Sequence, residues 1–219
     1  VCGALKGTII MFRKNKLLII ITSIVTLLPV AVGLAMWNIL PEEIAIHFNT
    51  NGVADGYSTK EFAVFTLPLI MLGLHILVLA GISYDPKYHA IGRKPLTMAI
   101  WIVPISSLFL GAVVYMYAFG VNLSVNVIVG LLLGFVCVIL GNYLPKCSPN
   151  YTLGIRVPWT LDNADNWNCT HRFAGWTYTI CGILILALSF LGLFWLYIGL
   201  LLLADLLPTL YSFIYYVRH

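Results

Sequence analysis

Long apolar segments constrain the fold of this chain more than any other feature of its sequence. A helix that crosses a bilayer needs about 20 predominantly apolar residues. Five blocks meet that length: 17–37, 62–82, 96–119, 125–144 and 173–216. The last block is about twice as long as one span needs, so it is predicted to fold back near Gly192–Trp195 into helices over 173–192 and 196–217. The sequence therefore predicts six transmembrane helices.

The composition excludes a soluble globular domain. Only 9% of the 219 residues are charged and 61% are hydrophobic, whereas soluble domains carry about 25% charged residues. A chain of this kind cannot cover a water-exposed surface with polar groups. We therefore expect an all-α integral membrane protein built as one six-helix bundle, with the lipid bilayer as its surroundings.

The positions of lysine and arginine predict the orientation of the bundle. Cytoplasmic loops are enriched in these residues, and six helices place eleven of the twelve on the side of the amino terminus. Only Lys60 falls on the other side, in the loop 38–61. Both termini and the loop 145–172 are therefore expected in the cytoplasm. This distribution accounts for the net charge of +4 without an anionic partner, and we expect no direct contact with nucleic acid.

The chain is predicted to divide between its third and fourth helices. We expect a cytoplasmic flank at 1–16, three helices and the outer loop 38–61 within 17–119, and three further helices within 120–219. Met11 is followed by a basic stretch typical of a native start, so residues 1–10 are interpreted as an upstream extension or a cloning remnant. In the fourth helix, small residues share one face, which predicts close packing inside the bundle rather than a dimer seam: Gly130, Gly134, Cys137 and Gly141.

The outer loop 38–61 is predicted to be short and ordered. Apolar residues alternate with others over 44–48, which is typical of a β-strand. Asn51-Gly52 and Asp55-Gly56 are turn signals. Two interpretations stay open, an ordered connector and an outward-facing recognition surface in which a histidine titrates near neutral pH. The candidate recognition residues are His47, Asn49, Gly52 and Asp55.

The inner loop 145–172 is longer than a connection requires. Helix–helix connections usually have about two to eight residues, and this one also carries tryptophan and isoleucine, which disordered segments lack. Its aromatic and basic residues suit the headgroup region, where arginine reaches phosphates. Asp162 or Asn163 is predicted to cap a short interfacial helix that ends near Thr170. We expect a folded functional element, with the candidate residues Asn150, Gly154, Arg156, Trp159, Thr160, Trp167, Thr170, His171 and Arg172.

Two ionisable side chains are predicted at mid-depth in the membrane. His75 lies near the centre of the second helix and Asp205 near the centre of the sixth. A charge at that depth costs at least about 2.5–3.5 kcal/mol, so a functional role is the default hypothesis. A proton relay would use both residues, and one hypothesis is that they form a hydrogen-bonded or ionic pair. The structural alternative for His75 is a neutral imidazole that is hydrogen-bonded to a neighbouring helix.

Motifs for enzymatic chemistry are missing from the sequence. It contains no H-E-x-x-H, G-x-S-x-G or Walker A motif, and its five cysteines form no C-x-x-C pair. We therefore predict no catalytic residues, no metal site and no cofactor.

The two loops carry a resemblance to a known family. Residues 141–182 resemble the signature of the SdpI family of bacterial membrane proteins, through Asn150, the segment Gly154-Ile-Arg-Val-Pro-Trp-Thr160, Trp167 and Thr170-His-Arg172. Residues 41–60 resemble a domain of unknown function that often lies at the amino end of this family, through Ile46-His-Phe-Asn49, Gly52 and Asp55-Gly-Tyr57.

The resemblance implies a multi-pass immunity protein of the bacterial cell membrane. The family's best-known member protects a bacterium from a secreted peptide toxin that collapses the membrane potential. It also signals, by holding a cytoplasmic repressor at the membrane when toxin is present. If these roles apply to this chain, the loop 38–61 would contact the toxin. The inner loop would bind a transcriptional repressor or transmit the toxin-bound state to the cytoplasmic side.

Two other functions stay open from the residues alone. A proton-coupled transporter of small molecules or peptides would use His75 and Asp205, together with the helix-interrupting prolines Pro68, Pro104 and Pro208. A membrane enzyme acting on lipid headgroups would use the inner loop, because arginine binds phosphate and histidine transfers protons. Its residues would be Arg156, His171 and Arg172.

Overall fold

A computed structural model describes residues 11–121 and 124–219 of the chain. Within them, six helices are long and apolar enough to cross a membrane. They are α1 (Lys16–Ala35), α2 (Leu67–Tyr84, after a π-helical turn at Phe62–Thr66), α3 (Arg93–Ala118), α4 (Val125–Tyr143), α5 (Ala164–Leu188) and α6 (Phe194–Arg218). The predicted six-helix membrane fold is confirmed. The interpretation of residues 1–10 concerns positions outside the described residues.

The chain divides into two compact units. The first contains the described residues through Tyr84 together with Thr97–Val125, and the second contains Asp85–Leu96 and Asn126–His219. The first unit therefore holds α1, α2 and most of α3, and the second holds α4, α5 and α6.

The first unit contains a β-hairpin between α1 and α2. Strands β1 (Glu43–Phe48) and β2 (Ala54–Thr59) pair antiparallel, which confirms the predicted strand. The turn lies at 49–53, where the N–H of Gly52 donates to Asn49 O at 2.8 Å and Gly52 has a φ of +76°. The second predicted turn, at Asp55-Gly56, is wrong. These residues continue β2, because Gly56 pairs with His47 across the hairpin.

The hairpin is anchored by the apolar side of β1. Ile44 and Ala45 are buried, and Ile44 packs into a cluster with residues that follow α1, begin α2 or end α3: Leu40, Ala63, Val64, Val114 and Tyr115. At the base, Lys60 Nζ contacts Glu42 Oε1 at 2.7 Å and lies 5.0 Å from the centre of the Trp37 ring. Burial of these apolar side chains away from water is what fixes the hairpin on the helices.

In the second unit, α4 and α5 approach each other through glycines. A Cβ on Gly141 would lie 2.8 Å from the carbonyl oxygen of Gly175, and a Cβ on Gly134 would lie 3.0 Å from that of Gly182. These distances leave no room for side chains, so the backbones pack directly. The prediction that the small-residue face of α4 packs within the protein is confirmed.

The fold-back between α5 and α6 is also confirmed. A 3₁₀ turn at Ser189–Leu191 leads to Gly192, whose φ of +67° reverses the chain before α6 begins at Phe194. The buried Tyr197 hydroxyl donates to Ser189 O at 2.7 Å. This bond closes the turn without polar residues at its tip.

The structure shortens the inner loop and extends α5. Asn163 Oδ1 accepts the N–H groups of Asp165 and Asn166 at 2.9 and 3.0 Å, so the predicted cap at Asn163 is confirmed. The predicted end of that helix near Thr170 is wrong. The helix runs on to Leu188, because it contains no proline to interrupt its hydrogen bonds. A separate short helix at Pro158–Asp162 precedes it.

Candidate functional site

The segment 145–163, here called the signature loop, begins with a turn that one side chain holds. Asn150 is fully buried. Its Oδ1 accepts the N–H groups of Thr152 and Leu153 at 2.9 and 2.6 Å, and its Nδ2 donates to Ser148 O at 2.8 Å. An asparagine that saturates backbone groups in this way fixes a turn. Asn150 therefore shapes the loop and is not available to a ligand.

A carboxylate from the α2–α3 connection holds the same turn from outside. Asp85 is 5% exposed, and its Oδ2 accepts the N–H of Tyr151 at 2.9 Å and the hydroxyl of Thr152 at 2.7 Å. Its Oδ1 accepts the N–H of Lys87 at 2.8 Å. Three donors on a buried carboxylate make a strong clamp, because bonds to charged groups are worth about 1.5–3 kcal/mol each.

Sequence reasoning missed Asp85. The available signal was an acidic residue in an otherwise basic connection, 85–94, whose other charged residues are Lys87, Arg93 and Lys94. Lys87 Nζ lies 5.1 Å from the centre of the Tyr151 ring, which adds a cation–π contact to the same junction.

His171 joins the signature loop to α5. Its Nδ1 lies 2.8 Å from Trp167 O, and its Nε2 accepts the N–H of Ile155 at 3.0 Å. A carbonyl oxygen only accepts and a backbone N–H only donates, so the imidazole is neutral with its proton on Nδ1. The ring is 1% exposed and stacks on Trp167 with centroids 4.0 Å apart. Both ring nitrogens are engaged inside the protein.

Gly154 makes this arrangement possible. Its φ is +106°, a conformation that residues with a side chain rarely adopt. A Cβ at this position would overlap His171 Nε2. Glycine is therefore required twice, by the backbone conformation and by the approach of the imidazole.

A second set of contacts ties the loop to α6. Trp159 Nε1 donates to Ser212 Oγ at 2.9 Å, and Asn166 Nδ2 donates to Ser212 O at 3.0 Å. Thr170 Oγ1 donates to Asn166 Oδ1 at 2.9 Å. Thr160 lies at the start of the loop's helix, where its hydroxyl is 2.8 Å from Ile155 O. Buried networks in which each member has a partner hold one geometry.

The basic residues of the motif point outward instead. Arg156 and Arg172 are exposed, and Arg156 Nη1 donates to the carbonyl oxygen of Tyr151. A groove of about 220 Å³ also opens between the short helix and the end of α6, lined by Pro158, Trp159, Asp162, Asn163, Tyr215, Tyr216 and His219. The loop thus has a buried framework and an exposed face.

Burial disfavours the ionised form of two side chains near the loop. Desolvation raises the pKa of the Cys147 thiol to about 11, and Trp167 Nε1 donates to the carbonyl oxygen of the same residue at 2.7 Å. Desolvation also raises the pKa of Tyr88, whose buried hydroxyl has no partner among the described residues.

The candidate residues of the outer hairpin also form two groups, one that builds the turn and one that is exposed on the surface. Asn49 Oδ1 accepts the N–H groups of Asn51 and Val53 at 2.9 and 3.1 Å, so it builds the turn with Gly52. His47 Nδ1 and Asp55 Oδ1 lie 2.6 Å apart on the surface, where both side chains are accessible. The structure thus presents one exposed His–Asp pair as the hairpin's candidate contact site.

Each intramembrane ionisable residue has a partner of its own. His75 is fully buried, with Nε2 3.1 Å from Thr22 Oγ1, and its Nδ1 has no partner among the described residues. Asp205 Oδ1 accepts the hydroxyl of Tyr178. Each of these hydrogen bonds joins residues of one compact unit. Across residues 11–121 and 124–219, no three His, Cys, Asp or Glu side chains converge to hold a metal ion.

Comparisons with known proteins agree with the two resemblances. Residues 146–212 match the SdpI/YfhL protein family, and residues 24–72 match a domain of unknown function (DUF1648). The chain is 28% identical over 213 residues to "Immunity protein SdpI" of Bacillus subtilis (strain 168), which covers 94% of this chain and 97% of that relative. No solved structure matches the chain. The family match contains most of the signature loop and all of α5.

Proposed function

Because the chain belongs to the SdpI/YfhL family of multi-pass bacterial membrane proteins, we propose that it is a membrane immunity protein. It protects its cell from a secreted antimicrobial peptide toxin. The observation that carries this proposal is the extent of the similarity to an immunity protein, 94% of this chain and 97% of the relative. A match of that extent includes the hairpin, the signature loop, the spans α1 to α5 and at least the first half of α6.

In this proposal the hairpin β1–β2 faces outward and the signature loop faces the cytoplasm. The distribution of lysine and arginine supports that orientation. The exposed His47–Asp55 pair supports a polar contact site on the outer side. The exposed Arg156 and Arg172 support a contact site on the inner side, which a transcriptional repressor would occupy when toxin is present.

Complementation tests the immunity proposal. The chain is expressed in B. subtilis lacking its own SdpI, and the cells are exposed to culture supernatant of the wild-type strain. We expect survival well above that of cells with an empty vector. A tagged chain that reaches the membrane in normal amount and gives no survival would contradict the proposal.

The inner contact site has a separate test. The double substitution of Arg156 and Arg172 by alanine removes the exposed cations and leaves the buried framework intact. We expect normal survival with a lower membrane-bound fraction of repressor during toxin exposure, measured by cell fractionation. Lys94→Ala, also an exposed cation outside the loop, is the control. Equal repressor binding by all three proteins would exclude this role of the loop.

The contacts of His171 favour immunity over a lipid-headgroup enzyme. A general acid or base needs a ring nitrogen that can reach its substrate, whereas both nitrogens of His171 are bonded inside the protein and the ring is buried. Arg156 and Arg172 alone bind phosphate without transferring a proton.

A further inference from the structure

Asp205 is an exposed carboxylate in the middle of a membrane-spanning helix. It lies on α6, Phe194–Arg218, at eleven residues from one end and thirteen from the other. At a rise of 1.5 Å per residue, it is roughly 17 Å from the start of the helix and 20 Å from its end. This depth corresponds to the centre of the hydrocarbon. A charged carboxylate costs free energy there, and a functional role is therefore the default hypothesis.

Exposure separates Asp205 from the buried polar side chains of the described spans. Polar residues within spans usually face the protein interior. That rule holds here for a set of fully or almost fully buried residues: Thr22, Thr26, His75, Ser107, Ser189 and Ser212. Asp205 is the exception, because its side chain is on the outer surface of its helix.

The carboxylate is also only partly satisfied. A carboxylate offers about four lone-pair sites, and in the described part of the chain the Tyr178 hydroxyl is the donor that reaches it. The remaining acceptor positions face a region that has no water to supply donors. A partner that brings a donor to this point would remove that deficit.

The surrounding face of α6 suits contact with another helix. Exposed apolar residues lie near Asp205 on α6: Leu202 is 55% exposed, Leu206 53% and Phe213 48%. Helices in membranes associate by packing such side chains and by hydrogen bonds between polar groups on facing helices. The face therefore combines an apolar contact surface with one acceptor.

We propose that this face of α6 binds a membrane-inserted peptide segment that presents a hydrogen-bond donor to Asp205. A second copy of this chain fits poorly, because a two-fold interface centred on this face would bring Asp205 close to its symmetry mate and place two carboxylates together. A segment with a basic, amide or hydroxyl side chain has the complementary chemistry. The inference rests on the proposed immunity function, and it identifies the occupant as the peptide toxin.

The test uses the complementation assay with three variants of the full chain. Asp205→Leu removes the acceptor and also removes an insertion cost, so the variant is expected to reach the membrane normally. We expect its protection to fall about tenfold or more, since a hydrogen bond to a charged group is worth at least that factor. Asp205→Asn keeps one acceptor oxygen and is expected to be intermediate. Ser106→Ala is the control, because it removes a hydroxyl that bonds Ile102 O within α3, and it should protect like wild type.

Photocrosslinking locates the contact directly. A benzoylphenylalanine at Leu206 is expected to give an adduct of peptide mass after exposure to toxin-containing supernatant. The same probe at Leu77, 68% exposed on α2, should give none. Adducts at Leu206 with a second copy of the chain alone would overturn the proposal.

The outcomes separate this inference from the function on which it rests. If wild type fails to protect, the immunity function itself is wrong. If wild type protects and Asp205→Leu protects equally well, the immunity function stands and the contact at Asp205 is excluded.

Discussion

Replacing Gly154 by alanine tests the geometry of the signature loop most directly. The φ of +106° costs a residue with a Cβ about 1–3 kcal/mol. The new methyl group would also overlap His171 Nε2. If the imidazole moves away, the buried N–H of Ile155 loses its acceptor, at about 1–3 kcal/mol more. The expected loss of unfolding free energy is therefore about 2–6 kcal/mol, a large share of a typical total of about 5–15 kcal/mol.

The structure offers a matched control for this substitution. Gly120 also has a positive φ, +71°, but a Cβ there would meet nothing within 4 Å. Gly120→Ala therefore reports backbone strain without a steric contact, and the additional loss in Gly154→Ala reports the displacement of His171 together with the greater strain of its φ. The assay is the thermal unfolding of purified protein in detergent. Trypsin cleavage after the exposed Arg156 reports loosening of the loop itself.

The expected order of stability is wild type first, Gly120→Ala next and Gly154→Ala clearly last. Cleavage at Arg156 is expected to accelerate in the Gly154 variant only. Equal unfolding midpoints for the two variants would refute the claim that contact with His171 matters, even if both are less stable than wild type.

Three further substitutions or modifications follow from the contacts. Asp85→Asn weakens the clamp on the signature loop, with an expected loss of about 1–3 kcal/mol in thermal unfolding and faster proteolysis of the loop. Cys147 is buried, and its pKa is raised to about 11, so roughly 0.03% of the thiol is ionised at pH 7.5. Labelling of Cys147 by maleimide, followed by mass spectrometry, should therefore be much slower than labelling of the half-buried Cys169. The labelling rate of Cys147 should increase as the pH rises. Gly141→Ala separates α4 from α5 and should cost about 1–3 kcal/mol, whereas Gly81→Ala, with open space around it, should not.

The membrane-spanning helices were predictable because hydrocarbon imposes a length and a composition on them. The same rule identified the fold-back at Gly192, since a block of twice the required length has to reverse. The start of α5 followed no such rule. Its first residues, from Ala164 on, are polar, and a helix that extends beyond the hydrocarbon does not need an apolar sequence. The cap at Asn163 predicted where it begins, but nothing local predicted that it continues through Thr170 into the membrane.

The contact between Asp85 and the signature loop was not predictable from local patterns. Asp85 and Tyr151 are separated by 66 residues, and no periodicity relates them. The π-helical turn at Phe62–Thr66 likewise replaces a helix start that the sequence presented as regular. Features of both kinds depend on which segments fold next to each other, and single-sequence patterns describe segments one at a time.

The signature motif combines two groups of residues that a sequence comparison cannot tell apart. Asn150, Gly154 and His171 are needed for the shape of the loop, because each one bonds or accommodates backbone within it. Arg156 and Arg172 are exposed, although Arg156 also donates to the carbonyl oxygen of Tyr151. Substitutions in the first group should therefore reduce stability and function together, while those in the second should affect function with at most a small loss of stability. A loop in which a rigid interior holds charged side chains at the surface is suited to binding a partner, and it needs no catalytic group to do so.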